Sequence, residues 1–311
     1  MKLVSVIIPC YKDSKTLCRA INSVIAQSHK PIEIIVINDC SPETKIIEKY
    51  LKKYPRIKYL YNKRNLGLAA SRNKGIQLAK GEIVAFLDAD DEYHRDKIRI
   101  QLEYIKENTA VTCEVLNILP SGQSYSKAGP DRLIIKPREI MFSNKLNGAG
   151  LLCKKKLILS IGGFNPNLKS CEDYDLWLRL LSSGIKVNVI SQPLYLYYFN
   201  SEGLSKNIID ISMWELRVIQ QYASSMDLKW QNNFDYILAI FIWLIRHLHR
   251  SEEARNMELK EETLKNGILL KNFPILKSLF YVVGYLRICL FFILFKKHVL
   301  PNSLFKKLNE A

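Results

Sequence analysis

The sequence predicts an α/β fold: a central, mainly parallel sheet flanked by helices, followed by a helical C-terminal extension. Three observations predict it. Short apolar runs alternate with amphipathic ones through residues 1–109, short links join them, and Val84–Leu87 is apolar at every position. An inner strand of a parallel sheet is apolar on both faces, and strand–helix–strand alternation with short links gives right-handed crossovers. At 311 residues, 48% hydrophobic and 24% charged, the chain can bury a large core, which suggests one catalytic domain with an appendage.

The elements follow in order. Leu3–Pro9 is an apolar strand, and Asp13 or Ser14 can cap a helix running through Ala26. Ile32–Ile37 is the second strand. Ser41-Pro42 opens a helix with Ser as cap and Pro in its first turn. Ile57–Tyr61 is the third strand, Leu68–Ala79 a helix whose Ala-Ala-Ser face permits close packing, and Val84–Leu87 the fourth strand. From about residue 110 the alternation weakens, and Ser121–Pro130 reads as a loop rich in Gly, Ser and Pro.

Composition sets the partners. The formal net charge of +16, dispersed along the chain, favours anionic partners: nucleotides, phosphorylated lipids or an acidic membrane face. Nucleic acid is not expected, because the cations are not clustered with aromatics or on a binding-motif helix. Seven scattered cysteines (10, 18, 40, 113, 153, 171 and 289) form no Cys-x-x-Cys pair, so neither a disulfide framework nor a zinc site is expected and the compartment is reducing. The chain enters a strand within three residues of its start, without a signal peptide, which puts the catalytic part in the cytoplasm.

The run Val84-Ala-Phe-Leu-Asp-Ala-Asp-Asp91 is a strand ending in three carboxylates, Asp88, Asp90 and Asp91. Like charges crowded at a strand end repel unless a cation sits between them. Carboxylate oxygens suit hard ions such as Mg²⁺ or Mn²⁺, which hold phosphates, and open α/β sheets bind ligands at the carboxyl ends of their strands. The plainer reading is acidic charge at the start of the next helix, a role expected of Asp91 with Glu92.

Three loops leave those same strand ends. Pro9-Cys10-Tyr11 offers an aromatic ring to a base, Asn38-Asp39 a carboxylate to a base or ribose edge, and Asn65-Leu66-Gly67 leads to Ser71 and Arg72. Each has a bland alternative: loop packing for Tyr11, a cap for Asp39, a turn for Asn65, a solvated charge for Arg72. The chain lacks both a Gly-x-Gly-x-x-Gly and a Gly-Lys-Ser/Thr, which argues against a dinucleotide dehydrogenase or a P-loop enzyme. Downstream, in Cys171-Glu-Asp-Tyr-Asp-Leu-Trp-Leu-Arg-Leu180, the residues Leu176, Trp177, Leu180 and Leu181 recur at helical spacing with Asp173 on their face. A carboxylate there suits a general base, with apolar surroundings raising its pKa and the helix N-terminus lowering it; the plainer reading of Glu172-Asp173 is acidic charge at a helix start. Asp175 and Arg179 are spaced for an ion pair on the outer face.

Taken together, Val4-Ser-Val-Ile-Ile-Pro-Cys-Tyr11, Val36-Ile-Asn-Asp39, Asn65-Leu-Gly67, Ser71-Arg-Asn73, Phe86-Leu-Asp-Ala-Asp-Asp91, Gly162-Gly-Phe164 and Glu172-Asp-Tyr-Asp-Leu-Trp-Leu-Arg179 resemble the family-2 glycosyltransferases, whose fold is the Rossmann-like GT-A. The resemblance covers residues 1 to about 205, in order and with the usual spacing. It implies an inverting, metal-dependent transfer in which Pro9, Tyr11, Asp39, Asn65, Arg72, Asp88 and Ala89 bind the nucleotide sugar, Asp90 and Asp88 hold Mn²⁺ or Mg²⁺, and Asp173 is the base. Glu172, Trp177 and Asn200 would stand beside the acceptor. An acceptor hydroxyl attacks the anomeric carbon as a nucleoside diphosphate leaves, so no covalent nucleophile is needed.

One segment departs from the pattern. Many relatives carry Tyr-Arg-x-His-x-x-Ser-Leu-Ser, whereas here Tyr197-Tyr-Phe-Asn-Ser-Glu-Gly-Leu-Ser205 puts Tyr198 and Asn200 in place of the two basic residues.

The domain reading is a catalytic domain over 1–205, with a nucleotide-binding half over 1–109 and an acceptor half over 110–205, and a basic-apolar helical extension over 206–311. In that extension His247 and His249 fall on different helix faces, which disfavours a metal site. Leu279–Phe295 carries one charge, Arg287, between Lys277 and Lys296-Lys297. That is short of the ~20 residues of a span, and fits a helix lying in the headgroup layer, the alternative being a helix packed in a core or a dimer contact. The expected function is transfer of a sugar, UDP-linked, to a saccharide or lipid-linked glycan in bacterial surface polysaccharide synthesis, at the inner face of the cell membrane. The alternatives are transfer to polyprenyl phosphate and a non-catalytic nucleotide-binding relative.

Overall fold

The computed structural model describes residues 2–126, 130–141, 146–200, 207–224, 234–267 and 277. The chain divides into two compact units, residues 1–139 with 146–203, and residues 140–145 with 204–311.

The first unit is the sheet with its helices: β1 (Val4–Cys10), α1 (Leu17–Ile25), β2 (Ile32–Asn38), α2 (Thr44–Leu51), β3 (Lys58–Tyr61), α3 (Leu68–Leu78), β4 (Ile83–Phe86), β5 (Glu92–Tyr93), α4 (Lys97–Glu103), β6 (Thr109–Ile118), β7 (Ser124–Ser126), β8 (Arg132–Ile134), β9 (Leu152–Lys154), α5 (Lys155–Ser160), α6 (Glu172–Ser182) and β10 (Lys186–Tyr198). The strand order is β3-β2-β1-β4-β9-β6-β10-β5, with β7 on β6 and β8 on β10. The block β3-β2-β1-β4 is parallel throughout, β9 joins antiparallel between β4 and β6, and β10 runs parallel to β6. This is the α/β sheet that the alternation predicts. β1 and β4 are buried at every position, as their unbroken apolar runs require. Pro9, which has no N–H to give, lies beyond the last β1–β4 partner, Ile7, so no ladder bond is lost on that side.

Three local expectations change. Thr16, not Asp13 or Ser14, occupies the cap of α1. The Asp13 carboxylate instead accepts the Tyr11 N–H at 3.0 Å, and the Ser14 N–H donates to Glu43 at 2.9 Å. Helix α2 starts at Thr44, after Glu43, while the Ser41 hydroxyl accepts the N–H groups of Lys12 and Glu43 in the turn that leads into it. Within Ser121–Pro130, Ser124–Ser126 is a strand: the turn at Gly122 folds it back onto β6.

The Gly162-Gly163-Phe164 turn is fastened to α3. Asn73 donates its amide to the Phe164 carbonyl at 2.7 Å and accepts the Phe164 N–H at 2.8 Å. Gly163 sits at φ +76°, and a Cβ there would lie 2.6 Å from Asn73 Oδ1, so glycine is required twice over.

The second unit contains α7 (Ile208–Ser224), α8 (Phe234–Glu253) and α9 (Met257–Lys265), with α9 capped by Asn256, which accepts the Leu259 N–H at 2.8 Å. Leu216, Ile219, Leu244, Leu248 and Leu259 are among its buried apolar residues. His247 is fully buried between the Trp243 carbonyl (2.9 Å) and Glu215 (3.2 Å), while the side chain of His249 is half exposed beside Glu253. The two histidines therefore do face different ways. Among the described residues no helix is long and apolar enough to cross a membrane. Leu279–Phe295 lies outside the described residues.

Replacing Asn73 with Ala strands both Phe164 backbone groups; we expect a loss of roughly 2–4 kcal/mol in denaturant unfolding.

Candidate active site

Because β1, β2 and β4 run parallel, their carboxyl ends deliver Tyr11, Asp39 and Asp88 to one edge of the sheet. Tyr11 is exposed there, with Lys12 Nζ 5.4 Å from its ring centre. Asp39 is buried and spends its carboxylate on the next loop: it accepts from Asn62 Nδ2 (2.7 Å), Leu66 N (2.9 Å) and Gly67 N (2.8 Å). Asp39 thereby fixes the shape of the Asn65 loop, and the Asn65 side chain is left exposed. Pro9 and Ala89 are buried backbone-packing positions.

Arg72 is the centre of the site. Far from being a solvated surface charge, it is 2% exposed, donating through Nη2 to Asp88 Oδ1 at 2.9 Å and through Nη1 to Glu172 Oε1 at 2.7 Å. Its guanidinium lies 5.3 Å from the ring centre of Phe164, the residue pinned by Asn73. One side chain from α3 thus joins the carboxylates after β4 to the start of α6. Burial pushes the Glu172 carboxyl up to about 7, with Arg72 pulling it down and Asp173 adding to the rise.

Asp173, next along α6, is half-buried, and the face predicted for it is present: Leu176, Trp177, Leu180 and Leu181 are all buried. A Cβ on Gly148 would fall 2.3 Å from Asp173 Cβ, so the Asn147–Gly150 turn can lie against this carboxylate only because it is glycine there. The Asp175–Arg179 pair forms as predicted (2.6 and 2.9 Å) but not on an outer face. Asp175 is 8% exposed, and Arg179 also donates to the Ile161 carbonyl at 2.7 Å, because α6 is buried on nearly all sides.

The acidic loop is shaped by β10. Asp91 does not start a helix: it precedes β5, is 1% exposed, and accepts from Tyr195 Oη (2.8 Å) and Tyr198 N (2.8 Å). The following helix, α4, starts only at Lys97, after Asp96. Asn200, in place of the histidine of relatives, donates to Asp90 Oδ2 at 3.1 Å. At Tyr198 a cation arrives from elsewhere: Arg19 of α1 stacks over the ring at 3.5 Å, lies 3.3 Å from Glu92 and donates to the Asp90 carbonyl.

Electrostatically the loop is strained by like charge. Burial raises Asp91 to about 8, with Asp88 and Asp90 adding to it, and burial followed by Asp88 raises Asp90. Asp13, read from sequence as a cap, belongs to the same field: burial, with Asp90 and Asp88, lifts it to about 6. Asp13 and Arg19 are the residues that sequence reading missed. Both lie in or near α1, and only the fold brings them to the acidic loop.

A sheet edge with this acidic loop, bound through a buried arginine to an Asp-bearing helix, sits in a chain whose residues 5–158 match the family model described as glycosyl transferase family 2. A putative teichuronic acid biosynthesis glycosyltransferase, TuaG of Bacillus subtilis, is 31% identical over 210 residues, 66% of this chain and 82% of TuaG. The chain belongs to glycosyltransferase family 2. An uncharacterized glycosyltransferase of Haemophilus influenzae is 30% identical over 212 residues, 65% of this chain and 70% of that one. The crystal structure of S. aureus TarS 1–349 in complex with UDP-GlcNAc superposes with a TM-score of 0.66 at 19% identity, over 87% of this chain and 81% of TarS 1–349. That likeness identifies the GT-A fold. The family-2 motifs seen in the sequence are therefore the residues that build this sheet edge, and the chain is a glycosyltransferase.

Two outcomes test this arrangement. Arg72→Met leaves Glu172 buried without its partner and should cost about 3–5 kcal/mol in denaturant unfolding. Asp91, with an ordinary value of 3.8 and a folded value of about 8, favours the fold fully below 3.8 and loses that contribution as pH rises toward 8. Asp91→Asn should therefore raise the thermal midpoint relative to wild type at pH 8 and not at pH 4.

Proposed function

We propose that the chain is an inverting, metal-dependent glycosyltransferase that moves a sugar from a nucleoside diphosphate donor, UDP-linked, to a hydroxyl of a saccharide or lipid-linked glycan during bacterial surface polysaccharide synthesis. The observation that carries this reading is the double contact of Arg72, which holds Asp88 and Glu172 at 2.9 and 2.7 Å and so ties the acidic loop to the helix that bears Asp173. In this reading the donor diphosphate lies against the Asp88–Asp90 loop, with Tyr11 beside the base and Asp39 shaping the loop beneath it. The acceptor hydroxyl loses its proton to Asp173 as its oxygen bonds the anomeric carbon, and the bond to the diphosphate breaks with its electron pair on the departing oxygen. General-base assistance of this kind contributes roughly 10²–10⁴-fold.

The donor set supports a hard cation. Asp88 and Asp90 offer carboxylate oxygens, and their mutual repulsion is relieved by positive charge. Among the described residues no three His, Cys, Asp or Glu side chains form a metal cage by themselves. That suits Mg²⁺ or Mn²⁺ held by one or two carboxylates, with the donor phosphates supplying the rest. When bound, the ion would offset charge on the leaving diphosphate.

The relatives supply the biological setting: TuaG is named for teichuronic acid biosynthesis, and TarS was crystallised with UDP and UDP-GlcNAc. Transfer at the inner membrane face follows from a lipid-linked acceptor and the net charge of +16, which favours anionic surfaces. Across a panel of UDP-, GDP- and dTDP-sugars with Mn²⁺, one donor should turn over. EDTA should abolish that turnover, and Asp173→Asn should lower it by roughly 10²–10⁴-fold with nucleotide affinity unchanged. Failure of every nucleotide to bind, with or without metal, would overturn this reading, and nucleotide binding without turnover of any donor would favour the non-catalytic relative.

A further inference from the structure

At the opposite edge of the sheet, where β2 begins, a crevice of about 330 Å³ opens between the end of α1, the start of β2 and the connection from α2 to β3. Its volume is at the lower end of small-molecule sites, ~300–1,000 Å³. Ile25, Ile34 and Ile57 are among the apolar side chains that line it, Ile25 being 44% exposed. Lys30, Lys53 and Arg56 also line it, with no carboxylate beside them.

These cations are not spoken for. Lys53 and Arg56 are exposed and enter no ion pair or side-chain hydrogen bond among the described residues. Lys30 Nζ donates to a neutral group, the Ile25 carbonyl, at 2.9 Å. Glu33, the acid in β2, is committed elsewhere, to Lys58 (2.5 Å), Ser5 (2.5 Å) and the Lys80 N–H (2.8 Å). Lys53, just past α2, also complements that helix's dipole, but such a role needs neither Arg56 nor an apolar cavity.

Three cations around an apolar hollow match a ligand with one anionic end and a hydrocarbon body. We propose that this crevice binds an anionic amphiphile, its phosphate or carboxylate head at Lys30, Lys53 and Arg56 and its chain against Ile25, Ile34 and Ile57. The site does not depend on the donor site: Ile32 and Asp39 stand at opposite ends of β2, roughly 20 Å apart at ~3.3 Å per residue, so occupant and nucleotide bind without competing.

The test is calorimetric titration of the full chain with dodecyl phosphate below its micelle concentration. Saturable binding is expected, about tenfold or more weaker for inorganic phosphate alone and for uncharged dodecyl maltoside. The Lys53→Glu/Arg56→Glu variant, altered only at exposed positions, should still unfold in one cooperative transition and lose at least that factor, as should Ile25→Glu. Flotation with phosphatidylcholine vesicles, with and without phosphatidylglycerol, identifies the source. Capture by the anionic vesicles that is lost in the double variant means a membrane lipid, and dodecyl phosphate binding without capture means a soluble amphiphile. No binding of dodecyl phosphate by wild type, or undiminished binding by the variants, overturns the proposal.

Discussion

The fold's working edge depends on one buried cation. Arg72 is nearly inaccessible, and an isolated guanidinium there would be prohibitively costly to desolvate. Asp88 and Glu172 each supply a carboxylate at hydrogen-bond distance, and the rings of Phe164 and Phe86 lie 5.3 and 6.0 Å from its charge. Neither acid could readily be lost without leaving charge uncompensated, so the end of β4 and the start of α6, 84 positions apart in sequence between Asp88 and Glu172, are held together. Asn73, the next residue, fastens the Gly162-Gly163-Phe164 turn and so fixes the Phe164 ring beside the Arg72 guanidinium.

Around that bridge the protein tolerates a crowd of acids. Burial raises Asp90, Asp91 and Asp13; Asp88 adds to the rise of all three, and Asp90 to that of Asp91 and Asp13. Besides the Arg72–Asp88 ion pair, relief within the protein comes from hydrogen bonds: Tyr195 and Tyr198 to Asp91, Asn200 to Asp90, and Arg19 to the Asp90 carbonyl. Such an edge is poised for positive charge, which is the physical basis for proposing a divalent ion and a diphosphate there.

The parallel sheet was legible because its strands are apolar runs with no competing period, and β1, β2, β3 and β4 lie where those runs do. The acidic loop was legible because carboxylates after a buried strand have few other uses. Asp91 and Asp175 were misread for a shared reason: local spacing suggests a cap or a surface pair, whereas tertiary packing buries both, with β10 donating to Asp91 and the Ile161 carbonyl holding Arg179, the ion-pair partner of Asp175. Asp13 and Arg19 reach the acidic loop only through the packing of α1 beside β5, a long-range contact that no local pattern encodes. The loss of basic residues at Tyr198 and Asn200 was plain in sequence; that Arg19 would stack on Tyr198 was not.

The most direct measurement is a crystal structure of the chain with a UDP-sugar and Mn²⁺. The account predicts the diphosphate against Asp88 and Asp90, Arg72 still bridging to Glu172, and the anomeric carbon facing Asp173 with space for a hydroxyl between them. A nucleotide bound away from this edge, or an anomeric carbon turned from Asp173, would contradict it.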